Sequence, residues 1–222
     1  LVDGTYKVYA VDAAGNLSSA STNSVTLDTT APTISSVTAG WDTSLNATED
    51  NSAGTVTVVT SGAENGQTVT VSLNGTNYTG TVSNNSTSVT VAAAGLQALT
   101  DGSSYTLTTN VSDAAGNAAT ENTGTSFTYD ITAPTLAETT VVPSLTNDNS
   151  TQYTFSSSEG GTISVGGSCS NSSDNNTAVA DNMTVSFAAL ADGTYSDCTI
   201  TVTDGAGNTQ TISVNTFTID TV

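Results

Sequence analysis

The chain has 222 residues and a formal charge of −19, with one Lys (Lys7), no Arg and no His. Nucleic acids and anionic membranes are bound through Lys and Arg, so neither is an expected partner, and the commonest general base is missing. The length gives room for about two domains, and no apolar run reaches the roughly 18 residues of a membrane span, so direct membrane insertion is not expected.

Thr and Val alternate along much of the chain, the period-two pattern of half-buried strands, and no helical period is sustained. Residues 1–28 carry DGTY (Asp3 to Tyr6), then VDAAGNLS (Val11 to Ser18), then a strand ending at Asp28 before TTAP. The same order returns as DGSSY (Asp101 to Tyr105), SDAAGNAA (Ser112 to Ala119) and FTYDITAP, and again as DGTY (Asp192 to Tyr195), TDGAGNTQ (Thr203 to Gln210) and FTIDTV. From corner Asp to terminal Asp the step is 16, 17 and 16 residues (Asp12 to Asp28, Asp113 to Asp130, Asp204 to Asp220), which is what one reused hairpin gives. Residues 1–28 therefore read as the C-terminal hairpin of a partial unit. A lone hairpin is marginal in water, so its sheet is completed by more of its own domain, the preferred reading, or by another molecule.

Proline cannot donate to a ladder and holds its predecessor extended, so Pro32 and Pro134 mark the first edge strands of new domains at 29–130 and 131–222. In the first of these, strands are expected near Thr33–Thr38, Thr55–Thr60, Thr68–Leu73, Tyr78–Val82, Ser88–Ala93, Tyr105–Val111 and Ser126–Tyr129, separated by ENG, NGTN, SNNS and TDGSS turns. Seven short strands in about 100 residues, with a Tyr opening the sixth, predict an all-β fold of tandem immunoglobulin-like β-sandwiches arranged end to end. A barrel is the structural competitor. Trp41 is assigned to packing rather than to a sugar platform. The T-x-T runs follow from the strand preference of Thr without ice binding, and the N-x-S/T sequons at Asn46, Asn77 and Asn182 are what chance gives in so polar a chain. Cys169 and Cys198 stand in no metal-type spacing and are expected to form a disulfide in an oxidising compartment.

The DxAGN corners, the DTTAP linker and the SE of SSSEGG together resemble the tandem bacterial immunoglobulin-like repeats of giant secreted adhesins, over essentially the whole chain. The resemblance implies an extracellular stalk at the cell surface, stiffened by calcium. Its partners would be the neighbouring immunoglobulin-like domains of the same polypeptide and, as a second class, other copies of the chain.

In such a sandwich the loops between strands two and three and between strands six and seven share the end that faces the preceding domain. Asp113 and Asn117 are thus expected to face the linker at Asp28, and Asp204 and Asn208 the linker at Asp130. The second-strand loops add Glu64 and Glu159. Bottom loops of the preceding unit offer Asp50 and Asp101 to the second joint and Asp3 to the first, while Asp148, Asp192 and Asp220 face whatever follows Val222. Several carboxylates drawn together without Lys or Arg need a counter-charge. Ca2+ takes about 6 to 8 oxygens from carboxylates, Asn and carbonyls in loose geometry, whereas zinc would want His or Cys. Gly15, Gly116 and Gly207 would let each corner turn through positive φ. Asp, Asn and Gly are also ordinary turn formers; the metal reading rests on corner, linker acid and second-loop Glu converging in both units. The alternatives are a carbohydrate- or protein-binding module and a subunit of a filament assembled by strand exchange. An enzyme is not expected, because no acid is placed in an aromatic cleft.

Overall fold

A computed structural model of the chain describes residues 1–170 and 176–222. The chain divides into two compact units, Leu1–Thr43 with Glu49–Tyr129, and Ser44–Thr48 with Asp130–Val222. Asp130 and the short segment Ser44–Thr48 therefore fold with the second unit.

In the first unit, Gly4–Lys7 and Ser24–Leu27 pair as an antiparallel hairpin whose Val25 stays exposed. One sheet of the sandwich runs Thr33–Ala39, Gly54–Ser61, Ser86–Val91 in order, all antiparallel. The other places Asn122–Tyr129 beside Ser103–Val111, then Thr68–Leu73, then Thr76–Thr81. Alternation turns Val56, Val58, Val89 and Val91 of the first sheet, and Val69, Val71, Leu107 and Phe127 of the second, into the core, as period-two strands dictate. Trp41 is 3% exposed and meets Phe127 edge-on with ring centroids 5.4 Å apart, so it is a core residue and offers no platform to a sugar. A Cβ on Gly54 would lie 2.4 Å from the Trp41 ring, which is why the strand opens on glycine.

The second unit repeats the plan. Leu136–Thr140, Gln152–Ser157 and Asn182–Ser186 form one antiparallel sheet, and Thr177–Ala178, Gly161–Gly166, Thr199–Thr203 and Thr209–Ser213 another. A third, small sheet holds Leu145–Thr146, Phe217–Ile219 and Gly193–Tyr195. Its core includes Tyr153, Phe155, Phe187, Ile200 and Phe217 together with both cysteines. The Cys169–Cys198 disulfide is formed, with a Cα–Cα distance of 5.3 Å.

The tyrosines that follow each DG turn tie their own strand start to the chain upstream. Tyr6 Oη donates to Val2 O, Tyr195 Oη donates to Ala191 O at 3.0 Å, and Tyr105 Oη accepts the Thr100 N–H at 2.7 Å. This is the tyrosine corner of immunoglobulin-like sandwiches, present in all three repeats.

Candidate metal centre

Each DxAGN corner folds in the same way. In the second unit the Asp204 N–H donates to Asn208 O at 3.0 Å and the Gly207 N–H to Asp204 O at 3.3 Å, closing a tight turn between Thr199–Thr203 and Thr209–Ser213. Gly207 sits at φ +96°, Gly116 at +94° and Gly15 at +89°, the left-handed region that only glycine enters without strain. The turn aims the acid back at its own backbone. Asp204 Oδ1 accepts the N–H groups of Ala206 (2.8 Å) and Asn208 (2.9 Å), while Oδ2 accepts Asn208 Nδ2 at 3.0 Å. Asp113 with Asn117 and Asp12 with Asn16 repeat the pattern. The Asn side chain and the turn N–H groups hold the carboxyls of Asp12 and Asp113 below their ordinary value, because these bonds favour the charged form.

The second amide hydrogen of the corner Asn reaches the linker. Asn117 Nδ2 donates to Asp28 O at 3.1 Å, and Asn208 Nδ2 to Asp130 O at 2.9 Å. The Asp130 N–H donates to Leu45 O at 3.0 Å. Its carboxylate caps the next residues by accepting the Thr132 N–H at 3.2 Å. Asp130 is thus held on both sides of its main chain, beside Asp204.

Glu159 arrives from the loop before Gly161–Gly166. A Cβ on Gly161 would stand 2.2 Å from Thr203 O and 3.1 Å from Asp204 Cα, so only glycine lets this strand lie against the corner. As a result Asp130, Glu159 and Asp204 each present an oxygen within 4.8 Å of the others, with Asp204 only 8% exposed and the other two half-buried. At that separation each pair of charges repels by about 1 kcal/mol in water and about 3 kcal/mol at the effective dielectric of a protein surface. The chain's one Lys lies in the first unit. The donor set is hard oxygen without imidazole or thiolate, so the residues fit a Ca2+-type ion and not zinc.

The other expected ligands fall elsewhere. Glu64 Oε2 accepts the Ala114 N–H at 2.9 Å and Asp28 Oδ1 the Thr30 N–H at 3.0 Å; among the described residues Asp28, Glu64 and Asp113 do not gather as the second set does. Asp50 is buried, 6% exposed, and accepts the Tyr129 hydroxyl at 2.7 Å. Asp101 is exposed, and its charge helps to raise the Tyr129 phenol. Asp3 takes the Thr29 N–H (3.0 Å) and the hydroxyls of Thr29 and Thr30 (both 2.7 Å), and Asp192 takes the Thr221 N–H (3.1 Å) and hydroxyl (2.8 Å). Asp3 and Asp192, two of the three DG-turn acids, therefore fasten the threonines that follow their terminal strands. Asp148 accepts the Ser150 N–H at 2.9 Å and Asp220 the Val222 N–H at 3.4 Å. Asn46 and Ala47 were not visible as site residues in the sequence. Asn46 Nδ2 donates to Ala206 O at 2.9 Å and the Ala47 N–H to Asn208 Oδ1 at 3.1 Å, across about 160 residues of chain.

A family model described as a bacterial Ig-like domain matches residues 137–221. A solved bacterial immunoglobulin-like domain from the M. primoryensis ice-binding adhesin is 35% identical over 43% of this chain and 96% of that one (TM-score 0.33). The chain belongs to the bacterial Ig-like domain family. Two longer structures are also similar to this bacterial Ig-like chain. One is a Ca2+-stabilised adhesin that helps an Antarctic bacterium reach out and bind ice, at 28% identity over 97% of this chain and 56% of that one (TM-score 0.44). The other is a tetra-tandem repeat in the extending region of a large adhesion protein, at 21% identity over 100% of this chain and 58% of that one (TM-score 0.39). The chain thus spans little more than half of either length. No curated protein matches the sequence.

Proposed function

We propose that this chain is a structural extender segment of a large extracellular adhesin or surface protein, and that Ca2+ rigidifies it at the domain joints. The observation that carries the reading is the meeting of Asp130, Glu159 and Asp204 within 4.8 Å at a linker residue, in a chain with one Lys and no Arg. Membership of the bacterial Ig-like family and the sequence likeness to a Ca2+-stabilised adhesin support it. When bound, the ion supplies the positive charge that the three carboxylates lack and ties the linker acid to two loops of the following sandwich.

Around that ion the protein's own groups do the positioning. Asp204 is pre-aimed by its turn, Asp130 by its main-chain bonds, and Glu159 by the close approach at Gly161. The mechanical role is to relieve the repulsion of the three carboxylates where the chain enters the second unit and to stiffen that entry, so that a series of such domains extends away from the cell. Small-angle scattering with Ca2+ and with chelator tests this. Chelation is expected to shorten or bend the particle; identical scattering dimensions in both conditions would contradict the reading.

A further inference from the structure

We propose that Asn208 is a positioning residue of this site and not one of its ligands: its amide ties the Asp204 carboxylate to the Asp130 main chain and to segment Ser44–Thr48. The inference rests on the cation-binding reading for its Ca2+ readout and on hydrogen bonding alone for the rest.

An Asn amide offers two donors on nitrogen and one acceptor oxygen. Here both donors are taken, by Asp204 Oδ2 at 3.0 Å and Asp130 O at 2.9 Å. The oxygen, the atom a hard cation would need, accepts the Ala47 N–H at 3.1 Å. Rotating the amide by half a turn would set its oxygen against two acceptors and its NH2 against a donor, so the network fixes the orientation. Asn208 is 6% exposed, which makes an unpaired amide costly and each of these bonds correspondingly selective.

The other corners carry the core of the same device. Asn117 Nδ2 joins Asp113 Oδ2 (2.8 Å) to Asp28 O (3.1 Å), and Asn16 Nδ2 holds Asp12 Oδ2 (2.8 Å). What the Asp204 corner adds is the pair of bonds from Asn46 and Ala47, which grip it at Ala206 and Asn208. The Asp130 N–H also bonds to Leu45 O at 3.0 Å in that segment. The corner Asn therefore sets two of the three carboxylate-bearing residues before a cation arrives. A partner that orients a ligand without touching the metal changes affinity by about 10- to 100-fold when it is lost.

Asn208→Asp separates the two roles, because it keeps the shape and replaces the donating nitrogen by an oxygen. A positioning Asn predicts that Ca2+ binding to the full chain, followed by titration calorimetry, weakens about tenfold or more. It also predicts that the chelator-treated variant melts below the parent, since the new carboxylate faces Asp204 Oδ2 and Asp130 O. A ligating Asn predicts equal or tighter Ca2+ binding and an unchanged metal-free melt; that pair of results overturns the proposal. Asn46→Ala, milder for folding, is expected to weaken Ca2+ binding several-fold, and unchanged binding would equally overturn the role given to the 44–48 segment. If the parent chain binds no Ca2+, the cation reading falls, and the metal-free melt decides the clamp: a lowered melt for Asn208→Asp upholds it and an unchanged one overturns it.

Discussion

Tyr129 and Asp50 form a polar pair in the core of the first unit, and Tyr153 and Glu138 a second pair in the other unit, with bonds of 2.7 and 3.2 Å. Both phenols are pushed up to about 12, first by burial and then by the neighbouring carboxylate. An unfolded Tyr ionises near pH 10, so the stability these protonated phenols contribute is complete below about pH 10 and is lost as pH rises through about 12. Tyrosinate absorbance should show two of the seven tyrosines ionising late and together with unfolding; a single wave near pH 10 would contradict the burial of both. At the acid end the sign reverses. Asp12 and Asp113 are held below their ordinary value by their corner Asn, so their contribution is present above about pH 4 and is lost as pH falls through their folded values. Gly161 is the residue on which the carboxylate site depends most by shape. Gly161→Ala should cost about 1 to 3 kcal/mol of overpacking and weaken Ca2+ binding by pushing Glu159 away from Asp204; wild-type melting and affinity would show that the strand does not need its close approach.

The disulfide is the element that distinguishes the two sandwiches. It closes a loop with a separation of 29 residues, for which chain-entropy arguments give about 3.6 kcal/mol. Reduction, or Cys169→Ala with Cys198→Ala, should lower the melting of the second unit by about 10 °C or more and leave the first unit's transition in place; a parent-like melt would contradict that role. Sheet stability elsewhere comes from uncharged pairs. Cross-strand hydroxyls meet directly at Thr154–Thr184 (2.9 Å) and Thr201–Thr211 (2.8 Å), taking the place that Glu–Lys pairs hold in less acidic proteins.

Elements were the most legible part of the sequence. Thr68–Leu73 was expected with the bounds the structure gives it, because strict alternation between turn residues fixes both ends. The corner glycines and the Tyr after each DG turn were legible for the same reason, a local rule repeated three times. The partners of the acids were not. Sequence offered Asp50 as a ligand and Asp3 as an acid of the first joint; their hydrogen-bond partners, a buried phenol for Asp50 and linker threonines for Asp3, could not be read from it. Asn46 gave no signal, since its role depends on a contact about 160 residues away.

At the scale of the molecule, a charge of −19 with a single Lys makes the chain repel itself wherever carboxylates gather. Many of them are held singly by local capping, in which turn N–H groups, threonine hydroxyls or a corner amide stabilise one charged carboxylate in place. Among the described residues, Asp130, Glu159 and Asp204 are brought within 4.8 Å of one another by a linker, a glycine-dependent loop and a corner. On the proposed reading a divalent ion bound there would stabilise the folded chain by mass action, so its melting is expected to rise with Ca2+ concentration. The most direct measurement is titration calorimetry of the full chain with Ca2+, alongside Glu159→Gln and Asp204→Asn. Saturable binding in the parent that both substitutions abolish or weaken at least tenfold is the predicted result. No binding in the parent, or binding that both variants retain unchanged, would contradict the account.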